Sequence, residues 1–201
     1  MKTNRLTIIL LMILTSFHFF EGQSQIFNIN KAQKRLKIEY SISKRITTNS
    51  SFIDVFKTKK IKPEKTAIVL IDIWKENFLN PMIKEFINPL IKEADSLGIH
   101  IIYSPSQKEQ NKHLEIIENS ITFYNLAIMD EYIIENKIAN IIYVGFDALY
   151  CVIDKPNGIF SFRKRNHKDL NYYVFDKGIT SFTKEMKETA LVLYKKNTWE
   201  N

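Results

Sequence analysis

Four apolar runs constrain this chain more than any other feature. They are Thr66-Ala67-Ile68-Val69-Leu70-Ile71 closed by Asp72, Ile99 to Ser104, Ile141 to Gly145, and Tyr172 to Asp176. Each is apolar at nearly every position rather than every second one, the pattern of strands covered on both faces in a parallel sheet. Segments of helical spacing lie between them. From Asn80 to Leu97, the residues Ile83, Phe86, Ile87, Leu90, Ile91 and Ala94 share one face; Pro89 should kink or divide that helix and Gly98 should stop it. Further helices are expected from about Tyr124 to Asn136, from Cys151 to about Arg165, and from Thr180 to Lys195. Strand–helix alternation with long connections requires right-handed crossovers. The expected class is therefore α/β: a three-layer α/β/α sandwich on a mainly parallel, Rossmann-like open sheet. Sites in such sheets lie beyond the carboxyl ends of the strands. Asp72, the loop Ser104–Lys112 and the turn Gly145–Cys151 all fall on that rim.

The segments before the first run differ in kind. MKTNRLTIILLMILTSFHFFEGQSQ has a basic start, an apolar run from Leu6 to Phe20, and small residues at Gly22 and Ser24. These are the parts of a secretory signal peptide, with an uncleaved anchor as the alternative, and the run is short for a membrane span. Residues 1–24 are read as that signal, with export to the periplasm or medium and no stable span after cleavage. Residues 25–63 read as a polar, lysine-rich lead-in containing one edge strand at Leu36–Tyr40, and residues 64–201 as the main domain. The net charge is +7, and residues 1–24 carry +1 of it (Lys2 and Arg5 against Glu21). The lysines are scattered and no nucleic-acid motif accompanies them, so they read as solvated surface. No nucleic-acid partner is expected. The expected partners are a small-molecule substrate and, as a further expectation, a second copy of the chain in a homo-oligomer.

The chain has one cysteine, Cys151, although an exported chain is free to form disulfides. A buried cysteine acting as a small hydrophobe is one reading. Its place between a parallel strand's end and a helix start, on the same rim as Asp72, supports a nucleophile.

The quoted elements KTAIVLIDIW, LGIHIIYSPS, NIIYVGFDALYCVIDKPNGIFSF and YYVFDKGITSF together resemble the isochorismatase-like cysteine hydrolases, the family of isochorismatase, nicotinamidase and N-carbamoyl amidohydrolases. The resemblance spans roughly Lys65 to Lys195, and is nearest to a branch with Asp-x-Trp at the first strand and Arg-Pro-x-Gly-Ile after the cysteine. Lys155 stands here in place of that arginine. The resemblance implies hydrolysis of a small amide, carbamoyl or related substrate. Cys151 would be the nucleophile, a thiolate of lowered pKa, and Asp72 the general base. Phe146, Asp147, Leu149 and Tyr150 would form the oxyanion turn, with backbone N–H donors near Ala148 to Cys151 and a cis peptide at Phe146–Asp147. Trp74 and Phe78 would wall the pocket. The family lysine has no counterpart at its usual place, where Glu118 or Asn119 stands, so Lys112 is taken as the substitute, with Lys108 beside it. Asp147 stands where a neutral residue is usual; a carboxylate there would raise the thiol pKa unless it is paired or turned away.

A Cys151–His113 pair and a non-catalytic binding protein on the same fold are the other readings. No cofactor and no metal are expected: DIWKENFLNP has no histidine, and no glycine-rich phosphate loop is present.

Overall fold

The computed structural model describes residues 28–30, 35–45, 52–106, 109–165 and 170–196. The signal-like segment lies outside them. The central sheet has five strands, all paired in parallel: β4 (Thr66–Ile71), β5 (His100–Ser104), β6 (Ile121–Thr122), β7 (Asn140–Gly145) and β8 (Asn171–Ile179), in the spatial order β6-β5-β4-β7-β8. Chain order thus reverses beside β4: the first crossover leads outward to β5 and a later one to β7 on the opposite flank. The crevice at such a switch point is where open α/β sheets hold their sites.

The continuous apolar runs are explained by two separate cores. Ile68 and Leu70 pack on one face with Ile83, Ile87 and Ile91. Ala67, Val69 and Ile71 pack on the other with Met129, Ile133 and Phe162. Every β4 residue is buried, and each large aliphatic side chain so buried contributes about 1.5–3 kcal/mol. The architecture is the three-layer α/β/α sandwich that the alternation predicts.

The helices follow the sequence pattern with two informative departures. The first crossover runs through Asn80–Met82, a π-helical stretch Ile83–Ile87, and α1 (Asn88–Ser96). Pro89 lacks an N–H and its ring crowds the carbonyl four residues back, so the preceding turn widens rather than breaking. Helix α2 (Leu126–Glu135) opens on Asn125, whose side chain accepts from the Ala127 N–H at 2.8 Å. The third expected helix is split into α3 (Cys151–Asp154) and α4 (Ile159–Lys164). Pro156 disfavours helical backbone at the residue before it, and Lys155 accordingly sits at φ −59°, ψ 152°. Helix α5 (Lys184–Lys196) is the last of the described elements.

The expected lead-in is a sheet of its own. Strands β1 (Asn28–Asn30), β2 (Arg35–Arg45) and β3 (Phe52–Ile61) pair antiparallel. Leu36, Ile38 and Ile61 join the core cluster of the first crossover, while Arg35, Lys37, Glu39 and Lys60 face outward. The many lysines hid a period-two alternation that spans far more than one edge strand. Tyr40 meets Tyr173 of β8 edge-on at 5.4 Å, which ties this sheet to the central one.

Candidate active site

Asp72 follows β4 directly and takes a left-handed backbone, φ 48°, unusual without glycine. Two backbone bonds hold it: its N–H reaches the Ser104 carbonyl at 3.4 Å, and its carbonyl accepts from Trp74 N–H at 2.9 Å. The carboxylate is fully buried. Its Oδ1 accepts three donors: the Ser106 N–H at 2.5 Å, Ser106 Oγ at 2.6 Å, and Lys155 Nζ at 2.8 Å. Oδ2 is buried and has no hydrogen-bond partner of good geometry among the described residues.

Lys155 supplies the ammonium of the site. It also donates to the Ser104 carbonyl at 2.8 Å, and its side chain is 14% exposed. The proline that ends α3 after four residues is what turns this lysine back toward β4. Lys112, the sequence-based choice, is exposed and lies near His113, whose N–H caps Asn111 Oδ1 at 3.0 Å. Neither Lys112 nor His113 joins Asp72 or Cys151. Lys108 lies outside the described residues.

Cys151 opens α3 at the same rim and is partly buried. The expected lowered pKa is not what its surroundings produce. Burial pushes the thiol up to about 11, and the adjacent Asp72 carboxylate, as acceptor and as charge, pushes the same way. The Asp147 N–H and the Lys155 ammonium oppose that rise without overcoming it. A helix of four residues offers little dipole to assist. These surroundings favour the neutral thiol.

Asp147 does not act on the thiol through its charge. Its carboxylate is buried and turned into the protein, where Oδ1 accepts from Leu149 N–H at 2.8 Å and Ser181 Oγ at 2.5 Å. It organises the turn, while its own N–H faces the sulfur. The peptide Phe146–Asp147 is cis, as the resemblance implies. The oxyanion donors narrow accordingly. Phe146 N–H is bound to the Ile71 carbonyl at 2.9 Å, Ala148 N–H to Thr180 at 2.9 Å, and Leu149 N–H to Asp147. The N–H groups of Tyr150 and Cys151 make no hydrogen bond to the described residues and stay available.

Gly145 makes the close approach of β7 to β4 possible. Its φ is 126°, and a Cβ there would lie 1.9 Å from the Ile71 carbonyl oxygen. Beside this junction Trp74 and Phe78 both meet Phe146 edge-on, at 5.3 and 5.4 Å, and Phe182 meets it at 4.7 Å. Phe146 is fully buried, whereas Phe78 and Phe182 are exposed. The two pocket residues expected from the sequence are thus brought together at the turn. Phe182, Ser106 and the role of Lys155 were not anticipated. Among the described residues no group of three or more His, Cys, Asp or Glu could hold a metal ion.

The parallel five-stranded sheet with helices on both faces is the isochorismatase-like fold, which solved structures share. The chain superposes on a nicotinamidase from Staphylococcus aureus with a TM-score of 0.53 at 18% identity, over 67% of this chain and 96% of that one. A cysteine hydrolase from Pseudomonas syringae pv. phaseolicola 1448A gives 0.54 at 14% identity, over 67% and 86%. The MAR1 ribonuclease from Caenorhabditis elegans gives 0.52 at 22% identity, over 65% and 72%. No protein-family model matches the chain, and neither does any curated protein. At these identities the shared feature is the fold, in a divergent form.

Proposed function

We propose that this chain is a cysteine hydrolase acting on a small amide, carbamoyl or related carbonyl substrate. The observation that carries this reading is the meeting of Asp72, at the end of β4, with Cys151 and Lys155, at the two ends of α3, on one sheet edge. As Sγ attacks the carbonyl carbon, the thiol proton passes to Asp72. The developing oxyanion is received by the Tyr150 and Cys151 N–H groups. Collapse breaks the bond to the leaving group, which departs with the proton from Asp72 and leaves a thioester on Cys151. Water then attacks the thioester, giving its proton to Asp72, and the acid product leaves as the thiol is restored. Lys155 compensates the carboxylate's charge in the resting state.

Trp74, Phe78 and Phe182 would border the substrate. Residues 1–24 support export of the mature protein, and no described helix is long and apolar enough to cross a membrane. The test is an amide and carbamoyl panel run on wild type and Cys151→Ala. Turnover of at least one substrate, abolished by the substitution, is expected. Turnover that survives in Cys151→Ala would refute Cys151 as the nucleophile, and a panel bound but never hydrolysed would select the binding-protein reading instead.

A further inference from the structure

We propose that Asn157 is a positioning residue, which holds the segment Lys155–Gly158 against β5 and β7 so that Lys155 stays on Asp72. In most of the chain a lysine reaching a buried carboxylate would be free to leave it. Its side chain has many rotamers, and immobilising them costs up to about 2 kcal/mol. Here the backbone beneath it is fixed at several points. The Lys155 carbonyl accepts from Gly158 N–H at 2.7 Å and Ser161 Oγ at 3.1 Å. Gly158 packs so closely on α3 that a Cβ would meet the carbonyl oxygens of Val152 and Cys151 at 2.8 and 2.9 Å.

Asn157 joins this clip to the sheet. It is 3% exposed. Its Nδ2 donates to Ser104 Oγ at 2.6 Å, and its carbonyl accepts from the fully buried Tyr143 hydroxyl at 3.1 Å. Ser104 is the residue whose carbonyl accepts the second Lys155 bond. One residue therefore links the lysine's own loop to the strand end that receives the lysine. Asn157 touches neither the sulfur nor the carboxylate, so its influence runs through Lys155.

The inference rests on the reading of Cys151, Asp72 and Lys155 as one site, and its test needs no substrate. Because Cys151 is the chain's one cysteine, iodoacetamide alkylation reports on that thiol alone. Its rate is followed from pH 7 to 11 in wild type, Asn157→Ala, Ser104→Ala, Lys155→Met, and the Asn157→Ala/Lys155→Met double variant. Asn157→Ala should slow alkylation at neutral-to-alkaline pH about three- to tenfold by releasing the cation that favours the thiolate. Lys155→Met should slow it by at least as much, and the double variant should match Lys155→Met. Ser104→Ala removes the same bond from its other end and should shift the profile in the same direction, which keeps the test open if Asn157→Ala folds poorly. An unchanged profile in both Asn157→Ala and Ser104→Ala, or a further slowing in the double variant, would overturn the proposal. A fall in melting temperature with an unchanged profile would overturn it too, since Asn157 would then be structural. If the profile shifts as expected but no amide is hydrolysed, the positioning role stands and the hydrolase reading fails.

Discussion

Replacing Lys155 with methionine removes the cation from the site while keeping most of the side chain's length. The carboxylate left behind is fully buried, and the pair it loses is 2.8 Å long with the lysine side chain 14% exposed. Breaking such a buried pair from one side destabilises by about 3–5 kcal/mol. Two donors from Ser106 remain on Oδ1, so the cost should fall at the lower end, about 3 kcal/mol. For a chain of this size that corresponds to a melting temperature lower by roughly 6–12 °C. Urea and thermal unfolding of Lys155→Met and Lys112→Met provide the comparison. Lys112 is exposed, so its substitution should stay within about 0.5 kcal/mol of wild type. Equal stability of Lys155→Met and wild type would refute the buried pair, and destabilisation by Lys112→Met instead would restore the sequence-based choice.

Two other substitutions probe the surrounding frame. Gly145→Ala should cost more than about 3 kcal/mol and disturb the site, since its Cβ would stand on the Ile71 carbonyl and its φ is left-handed; calorimetry of a soluble variant with near-wild-type stability would contradict this. Asp147→Asn keeps the acceptor for Leu149 N–H and Ser181 Oγ, so the alkylation profile of Cys151 should stay within about a factor of three of wild type; a large acceleration would mean that the carboxylate does act on the thiol.

The fold was legible because its strands are buried on both faces, a condition that writes itself as unbroken apolar runs. Asp72 and Cys151 were legible because a strand end and a strand-to-helix turn place them on one rim regardless of side-chain detail. Lys155 was visible as a residue but not as a site group. Its direction depends on Pro156 ending α3 after one turn, and periodicity alone continues that helix to Arg165. The thiol's raised pKa was likewise hidden, because it follows from burial beside Asp72 and not from the helix start that the sequence displays. Asp147 looked adverse in sequence because its partner, Ser181, lies 34 residues away. The N-terminal strands were obscured by lysines that sit on the outward positions of an alternating pattern.

In the proposed reaction Cys151 attacks a carbonyl and Asp72 takes its proton. An activated aryl ester such as p-nitrophenyl acetate, mixed with the protein and quenched in acid, allows the acetyl group to be located by intact-mass and peptide analysis. Acetylation at Cys151 should form and then clear by hydrolysis, with both steps strongly slowed in Asp72→Asn. Acetyl groups found on surface lysines but not on Cys151, or a Cys151 acetyl group that persists and is indifferent to Asp72→Asn, would contradict it.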